Sequence, residues 1–467
     1  MRELLDLSNY MKLSPSQLAE TVLHCPVCQR DHKIPFKIVR SGRGLASLVP
    51  DVIEAVLGRR PVRTGVVYDR QIEELVRDYL VSILQSSGRA VIDIPLGEKG
   101  YLLEPLVGIG NQAAENLQGD IDFLVGVGSG VISDLTKWIA TKRSLPFLIA
   151  GTAASMNAYT SITATMTEDN VKTTRWLDPA SAVLLDADVM ATAPQEMTWA
   201  GIGDMLARNV SNADWKLSQL VHDSYFCPVP FEMMASYQDR FLAEVDSLGS
   251  NEPEALATLG DAVLVSGYSM TILDGETSPS SGSEHILSHF FDFQHEIFGL
   301  PKNLHGSQVG VATIIMSAAF ELLREIDPKH FNLDDIERRR LSLTAINLDH
   351  RRVFSEHGKK FDRVVAEKRV GDVDYRKHIT RILHNWEAIW SEVDPYLMPS
   401  ESLRQAMASA GGPTKLSEIH RTDEDAVQAL LYGSHYRPRY TILDLFWELG
   451  LFPALAPEIL QKAQVLD

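Results

Sequence analysis

The sequence predicts an α/β protein in which a parallel-sheet domain over residues 61–193 is followed by a helical domain over residues 194–467. In the first of these regions, short apolar runs rich in β-branched residues alternate with amphipathic stretches, which is typical of βαβ units. The runs are VRTGVVYD, RAVIDIPL, IDFLVGVG, LPFLIA and SAVLLDAD. After residue 194 the apolar spacing becomes helical. Residues 1–60 are expected to form an appendage that contains the sequence CPVCQRDH.

Length and composition indicate how many domains to expect and argue against several classes of binding partner. A chain of 467 residues exceeds the usual size of a single core, so at least two domains are expected. The formal charge of −18 argues against nucleic acid and anionic membranes as partners. Neither a membrane span nor a secretory leader is apparent, and the three cysteines are too few for a disulfide framework. We therefore expect a cytoplasmic protein, for which a small anionic substrate stays open. A homo-oligomer is a separate expectation.

A glycine-rich turn in IDFLVGVGSGVISDLTKW joins an apolar strand to a helix. Backbone N–H groups of Gly128, Ser129 and Gly130, together with the helix N-terminus, suit a nucleotide pyrophosphate. Asp134, in the first turns of this helix, is assigned to the same cofactor site. The alternative is a tight strand-to-helix turn without a ligand, because the spacing matches neither of the common phosphate-binding fingerprints.

Two further turns are expected at the same sheet edge. Asp69 ends the run GVVYD, where a carboxylate can accept hydrogen bonds from ribose hydroxyls, although it can also cap the helix that follows. Because Arg70 is adjacent and could meet a 2′-phosphate, NAD and NADP both stay open. The turn LIAGTAASMNAYTS contributes Thr152 and Ser155 to the predicted cofactor site, although small hydroxyl residues also make turns for local reasons.

Three residues have contexts that suit metal ligands: Asp204 in AGIGDMLARN, His285 in SGSEHILSH and His305 in KNLHGSQVG. Two imidazoles and a carboxylate satisfy a divalent cation and leave positions open for substrate. His289 lies four residues after His285, hence on the same face of a helix, so both could bind one metal, or one could bind it while the other relays a proton. The alternative is a set of unrelated polar residues at helix ends.

The appendage contains a second set of metal-type donors. Cys25, Cys28 and His32 supply three metal-type donors at short spacing, with His24 as the nearest spare donor. The alternative is a pair of ordinary buried thiols. A second, structural zinc at Cys25 and Cys28 therefore stays a hypothesis.

Long motifs give the chain a resemblance to a known family. These are GVGSGVISDLTK, GTAASMNAYTS, the stretch from DNVKTTRWLDP to ADWKLS, SEHILSH, LHGSQVGVAT and YTILDLFWELGLF. Together they resemble the bacterial sn-glycerol-1-phosphate dehydrogenases, of the metal-dependent polyol dehydrogenase and dehydroquinate synthase superfamily. The resemblance implies a Rossmann-like N-terminal domain, an all-helical C-terminal domain of dehydroquinate synthase-like type, and NAD or NADP.

The resemblance also implies residue roles and a reaction. It places a zinc, nickel or iron ion on Asp204, His285 and His305. The implied reaction is reduction of dihydroxyacetone phosphate to sn-glycerol 1-phosphate, a step of phospholipid metabolism, with the proton from His289 or from water at the metal. Apart from the resemblance, Lys172 is a candidate for the substrate phosphate; the alternative is a solvated surface lysine.

The chain departs from the family at one position. The family usually has S-M-D-G-Y where this chain has SMNAY, so Asn157 replaces a carboxylate expected near the reacting carbon. An amide cannot act as a base and holds a hydroxyl less strongly. This departure favours one alternative, a related metal-dependent alcohol or aldehyde reductase with another substrate. A separate alternative is a dehydroquinate synthase-like cyclase, although that relative carries Glu at the first ligand position, where this chain has Asp204.

Overall fold

The computed structural model describes residues 13–117, 120–168 and 171–467. Within these residues it contains ten β-strands. They are β1 Val22–His24, β2 Asp31–Lys33, β3 Ile38–Gly42, β4 Arg63–Asp69, β5 Ala90–Leu96, β6 Phe123–Gly128, β7 Phe147–Gly151, β8 Thr163–Glu168, β9 Val171–Trp176 and β10 Ala182–Asp186.

The same residues contain twenty-three α-helices. They are α1 Pro15–Leu18, α2 Val49–Leu57, α3 Glu73–Val76, α4 Ser82–Ser86, α5 Val107–Asn116, α6 Gly130–Arg143, α7 Ala187–Met190, α8 Gln195–Leu206, α9 Arg208–His222, α10 Val229–Ala243, α11 Val245–Leu248, α12 Pro253–Thr271, α13 Ser283–Phe298, α14 His305–Arg324, α15 Leu333–Arg339, α16 Leu343–Phe354, α17 Lys359–Lys368, α18 Asp372–His384, α19 Trp386–Val393, α20 Ser400–Ser409, α21 Asp423–Tyr432, α22 Ile442–Glu448 and α23 Ala456–Ala463.

A six-stranded parallel sheet organises the first part of the chain, in the order β3-β10-β7-β6-β4-β5. The five predicted runs are confirmed as β4, β5, β6, β7 and β10. Every residue of β6 and β7 is buried, as expected of parallel strands that are covered on both faces. Apolar side chains of α2 and of the helical segments between residues 73 and 86 cover one face.

Strand β3 was not predicted, since it lies within the expected appendage of residues 1–60. It pairs in parallel with β10, so that Ile38 lies opposite Ala182. An edge strand has only one neighbour, and in β3 only Val39 is buried. Such a strand needs no continuous apolar run, which is why the sequence pattern did not reveal it. Two antiparallel hairpins, β1–β2 and β8–β9, complete the described strands.

The chain divides into two compact units. The first, here called the sheet unit, comprises residues up to Met205 together with Cys227–Thr277. The second, the helical unit, comprises Leu206–Phe226 and Ser278–Asp467. This grouping differs from the expected boundary between residues 193 and 194, and the domain limits remain a prediction.

Helix α12 shows why the grouping differs. It packs against β3, where the Ser41 hydroxyl donates to the carbonyl of Ala257 at 2.9 Å. At Gly260 a Cβ atom would lie 2.3 Å from the Ser41 oxygen, so the helix approaches the strand closely. A helix that covers a sheet has the same apolar period as one in a helical bundle. The sequence pattern therefore could not assign α12 to the sheet unit.

Helix α14 is the most apolar long helix of the helical unit. By length and composition it is long enough to cross a membrane, but 89% of its most apolar window is buried inside the structure. That burial is what a core helix of a folded domain shows.

Candidate active site

The glycine turn lies where β6 leads into α6, in the sheet unit. Ser129 is the N-cap residue of α6, with an extended backbone, and its carbonyl accepts from the Ser133 N–H at 2.9 Å. A Cβ atom at Gly128 would lie 2.7 Å from Cβ of Ile132. A Cβ atom at Gly126 would lie 2.3 Å from the Thr136 hydroxyl oxygen. These two glycines are thus required by the packing of α6 on β6, whether or not a ligand binds.

Gly130 is different from the other two glycines. A Cβ atom there would meet only the Met156 side chain, at 3.4 Å, which is an ordinary van der Waals contact. Packing therefore does not require glycine at the first residue of α6. A ligand that approaches the helix N-terminus remains a reason for glycine at this position.

The turns after β4, β6 and β7 lie next to one another, because these strands are neighbours in the sheet. The Thr152 N–H donates to the Gly128 carbonyl at 3.2 Å and joins two of the turns. Asp69 accepts from the Gln71 N–H at 3.0 Å through Oδ1, so the helix-capping role is present in the structure. Predicted cofactor residues from three turns are therefore adjacent at the carboxyl edge of the sheet, where open α/β sheets bind ligands.

Asp134 is placed differently from the other predicted cofactor residues. It is buried, and its Oδ2 accepts from the Thr165 N–H of β8 at 3.1 Å. The Lys137 ammonium lies 3.7 Å from Oδ1 and itself donates to the Thr163 carbonyl at 3.1 Å. Burial raises the pKa of Asp134 to about 6, and the Lys137 charge opposes that rise. These contacts give Asp134 a role in fixing β8 on α6, and a contact with the cofactor stays a prediction.

Asn157 and Asp204 are held together in the sheet unit. The Asn157 backbone N–H donates to Oδ2 of Asp204 at 3.0 Å. The Asn157 amide nitrogen donates to the Ser266 hydroxyl of α12 at 3.2 Å. Helix α8 lies directly on this turn, since a Cβ at Gly201 would be 1.7 Å from the Ala154 carbonyl oxygen. Asn157, where the chain departs from the family pattern, is therefore adjacent to Asp204, the first predicted metal ligand.

The three predicted histidines lie together in the helical unit. His285 and His289 are on α13, and His305 is the first residue of α14. The ring centroids of His285 and His305 are 5.1 Å apart, and those of His289 and His305 are 5.5 Å apart. The expected helical spacing and helix start are confirmed.

Glu284 fixes the orientation of His285. Its Oε1 lies 2.8 Å from Nδ1 of His285 and also accepts from the Gly282 N–H at 2.7 Å. A proton on Nδ1 leaves the Nε2 lone pair available for a metal. Sequence reasoning did not identify Glu284. The sequence did contain a sign of this role, because Glu284 is a carboxylate next to a candidate histidine, in a segment that is too apolar for an ordinary surface glutamate.

A second buried carboxylate lies beside Glu284. Asp214 accepts from the N–H groups of Ser283 and Ile442, each at 2.7 Å. Burial and the charge of Glu284 raise the pKa of Asp214 to about 7. Oε2 of Glu284 is buried and has no hydrogen-bond partner among the described residues. Two buried carboxylates, Asp214 and Glu284, therefore lie close to the histidines. A bound cation would fit there, because a positive charge offsets the repulsion between the carboxylates.

The cysteines of the appendage form a separate cluster in the sheet unit. Cys25, Cys28 and His32 lie together, and Cys227, which the sequence did not place there, joins them. His24, the expected spare donor, instead pairs with Asp31 at 2.8 Å. Lys172 lies in β9, and its side chain is outside the described part of the structure.

Known proteins that are similar to this chain are dehydrogenases. A family model described as iron-containing alcohol dehydrogenase matches residues 40–194. A glycerol-1-phosphate dehydrogenase [NAD(P)+] of Halalkalibacterium halodurans is 30% identical over 297 residues, 63% of this chain and 73% of the relative. The chain belongs to the glycerol-1-phosphate dehydrogenase [NAD(P)+] family. It is an NAD(P)-dependent, metal-containing dehydrogenase, as the sequence predicted.

Two further comparisons cover more of the chain. The Bacillus licheniformis enzyme of the same name is 26% identical over 401 residues, 84% of each chain. The crystal structure of glycerol dehydrogenase from Schizosaccharomyces pombe aligns with a TM-score of 0.58 at 16% identity, over 92% of this chain and 91% of the other. The second likeness shows the fold, and the predicted fold class is confirmed.

Proposed function

We propose that this chain catalyses the NAD(P)H-linked reduction of dihydroxyacetone phosphate to sn-glycerol 1-phosphate, and the reverse reaction. The observation that carries the proposal is the pair His285 and His305, whose rings are 5.1 Å apart, with Nδ1 of His285 held by a buried carboxylate. This arrangement occurs in a chain whose relatives bear that activity in their names.

Asp204, His285 and His305 are the proposed ligands of one divalent metal. A carboxylate and two imidazoles suit zinc, nickel and iron. When bound, the metal supplies Lewis-acid polarisation of the substrate carbonyl, and the nicotinamide supplies the hydride. Asp204 is 4% exposed, and the Asn157 N–H holds one of its oxygens, which limits the rotation of the carboxylate. Glu284 performs the same task for His285 by fixing its tautomer and ring plane.

The dinucleotide is proposed to lie along the carboxyl edge of the sheet. Asp69 accepts from the adenosine ribose, and the N–H groups of Ser129 and Gly130 at the start of α6 bind the pyrophosphate. Thr152 and Ser155 lie farther along the same edge, near the nicotinamide ribose. The adjacency of the three turns supports this assignment.

Two residues are proposed to act on the substrate. His289 is half-buried beside His305, where it holds the proton that the substrate oxygen receives on reduction. Asn157 offers an amide to a substrate hydroxyl and keeps its backbone contact with Asp204. Lys172 is the proposed contact for the substrate phosphate.

Three broader expectations accompany this proposal. They are a cytoplasmic location, a homo-oligomeric state and a role in phospholipid metabolism. Light scattering of the purified full chain, coupled to size exclusion, tests the oligomeric state directly. A mass equal to one chain would contradict it.

The test of function is a substrate panel. The metal-loaded protein is assayed with NADH and with NADPH against dihydroxyacetone phosphate and against free and phosphorylated ketones and aldehydes. We expect turnover of dihydroxyacetone phosphate to exceed turnover of unphosphorylated dihydroxyacetone. Asp204→Ala, prepared in parallel, controls for contaminating reductases. Absence of turnover with metal and cofactor bound would contradict the proposal.

A second candidate function is a metal-dependent alcohol or aldehyde reductase with another substrate, which the neutral amide of Asn157 favours. The same panel separates the two by substrate preference. A dehydroquinate synthase-like cyclase would show no net consumption of NAD(P)H, because its cofactor is regenerated in each turnover. Asp204 in place of glutamate argues against that reaction.

A further inference from the structure

We propose that Cys25, Cys28, His32 and Cys227 bind one structural zinc ion in the sheet unit, separate from the catalytic metal. The four candidate ligand atoms, three Sγ and Nε2 of His32, all lie within 4.8 Å of one another. Three thiolates and an imidazole form one of the common ligand sets of structural zinc sites, in which the protein fills every coordination position.

The separations among the ligand atoms of Cys28, His32 and Cys227 are close to those around a tetrahedrally coordinated zinc ion. With Zn–S bonds of about 2.3 Å and a Zn–N bond of about 2.0 to 2.1 Å, tetrahedral angles place sulfurs about 3.8 Å apart and sulfur and nitrogen about 3.6 Å apart. In the structure, the sulfurs of Cys28 and Cys227 are 3.7 Å apart. Nε2 of His32 lies 3.3 Å from the Cys28 sulfur and 3.4 Å from the Cys227 sulfur. These three of the six edges are therefore close to the lengths that zinc requires, and the edges to the Cys25 sulfur are no longer than 4.8 Å.

The local backbone presents these ligands toward one point. Cys25 follows β1 directly, and His32 is the central residue of β2. Between the strands, the Cys28 N–H donates to the Cys25 sulfur at 3.4 Å, and the Gln29 N–H donates to the Cys25 carbonyl at 2.9 Å. Gln29 takes a left-handed conformation with φ of 57°, which closes the turn. An N–H group directed at a sulfur stabilises the thiolate form that a metal needs.

His32 is held in the tautomer that a ligand requires. Its Nδ1 donates to the Ile272 carbonyl at 2.9 Å, so the lone pair of Nε2 faces the sulfurs. The His32 residue is 2% exposed, and Cys25 and Cys227 are fully buried. Among the described residues, Nε2 lies beside the sulfurs of Cys28 and Cys227, which are weak hydrogen-bond donors, and a cation would satisfy the nitrogen better.

The ion would connect distant parts of the chain. Cys227 lies 199 residues after Cys28 and two residues before α10 begins. Zinc would fasten the β1–β2 hairpin to the start of α10, within one compact unit. Because all four positions are filled by protein atoms, no position is open for substrate. The ion acts on stability and takes no part in the reaction.

Metal analysis of the full-length protein tests the proposal. After expression with zinc, we expect one zinc per chain that Asp204→Ala retains and Cys227→Ser loses. The matched control is His24→Ala, which removes the other nearby imidazole; its side chain is 43% exposed and paired with Asp31. That variant should keep the ion and the thermal stability of the wild type, whereas Cys227→Ser should melt at a lower temperature.

Cobalt substitution identifies the ligand type in the wild type. Cobalt bound to three thiolates gives an intense thiolate-to-metal charge-transfer band, whereas cobalt on a carboxylate and two imidazoles does not. We expect this band in the wild type and in Asp204→Ala. It should weaken or disappear in Cys227→Ser, which removes one of the three thiolates. Retention of the band by Asp204→Ala separates this site from the proposed catalytic metal, so either proposal can fail alone.

Three results would overturn the inference. One is a zinc-loaded wild type in which all three thiols react at once with a thiol reagent. Another is a cobalt-loaded wild type without the charge-transfer band. The third is a native mass two daltons below that of the reduced chain, which would indicate a disulfide. Each is measured on the wild type, so the outcome does not depend on whether Cys227→Ser folds.

Discussion

Replacing Gly130 with aspartate tests the proposed pyrophosphate site without a change in packing. A Cβ atom at this position contacts only Met156, at 3.4 Å, so packing tolerates a Cβ atom there. Aspartate in the first turn also interacts favourably with the helix dipole of α6, by about 0.3–1 kcal/mol. The folded protein should therefore be as stable as wild type or slightly more so, while the new charge lies where the pyrophosphate is proposed to bind.

The expected loss of affinity follows from Coulomb's law. Two unit charges about 5 Å apart repel by about 3 kcal/mol at an effective dielectric constant of about 20. Salt and solvent reduce this repulsion, so we expect a loss of at least about 1.4 kcal/mol, or tenfold in Kd for NADH and NADPH. Gly130→Asn has nearly the same shape without the charge and should lose considerably less.

Calorimetric titration with NADH, together with thermal melts of both variants, measures the effect. If Gly130→Asp binds NADH as tightly as Gly130→Asn, the pyrophosphate does not lie at this helix N-terminus. The same experiment at Gly128 would be ambiguous. A Cβ there lies 2.7 Å from Cβ of Ile132, so a weaker affinity would also follow from a disturbed turn.

Three further predictions concern the metal and the substrate. Asp204→Ala should lose the catalytic metal and nearly all turnover, while it keeps the zinc proposed at the cysteine cluster. His289→Ala should keep both metals and lose turnover. Elemental analysis beside kinetics distinguishes the two variants, and as much metal per chain in Asp204→Ala as in the wild type would contradict the ligand assignment. Glu284→Gln should weaken the affinity for the catalytic metal by about 10- to 100-fold, measured by competition with a chelator, because the carboxylate no longer holds His285; unchanged affinity would show that the contact is incidental. Asn157→Asp should keep or raise the kcat/KM for dihydroxyacetone phosphate, by up to about tenfold if a charged hydrogen bond is gained, and a fall in kcat/KM would indicate that the amide serves a different substrate.

The central strands of the sheet were predictable because they are buried on both faces, which is not true of the edge strand β3. Strands β6 and β7 are buried on both faces, so their sequences are continuously apolar. Strand β3 has one partner and a mostly half-exposed sequence, and its pattern resembles that of a loop. Strand β3 is extended because it pairs with β10, and the local sequence of β3 does not indicate that pairing.

The same limit applies to the site residues: those within one short motif were predictable, and those brought together only by folding were not. The glycine turn and the histidines on α13 and α14 were predictable because each lies within one short motif. Cys227 was not, because it joins Cys25 and Cys28 only through folding, about two hundred residues along the chain. The distinction between Gly128, which packing requires, and Gly130, which packing does not, also needed the positions of Ile132 and Met156.

The contact between Asn157 and Asp204 indicates that the proposed metal binding and the substrate choice depend on different atoms of residue 157. Asp204 is held by the backbone N–H of residue 157, which any residue except proline supplies. Exchange of a carboxylate for an amide at this position therefore leaves the support of the proposed metal ligand intact. The amide itself donates to the Ser266 hydroxyl, and a carboxylate there would accept from the same hydroxyl instead. Position 157 can thus change what the site binds without changing how Asp204 is held, so metal binding and substrate choice are open to separate tests.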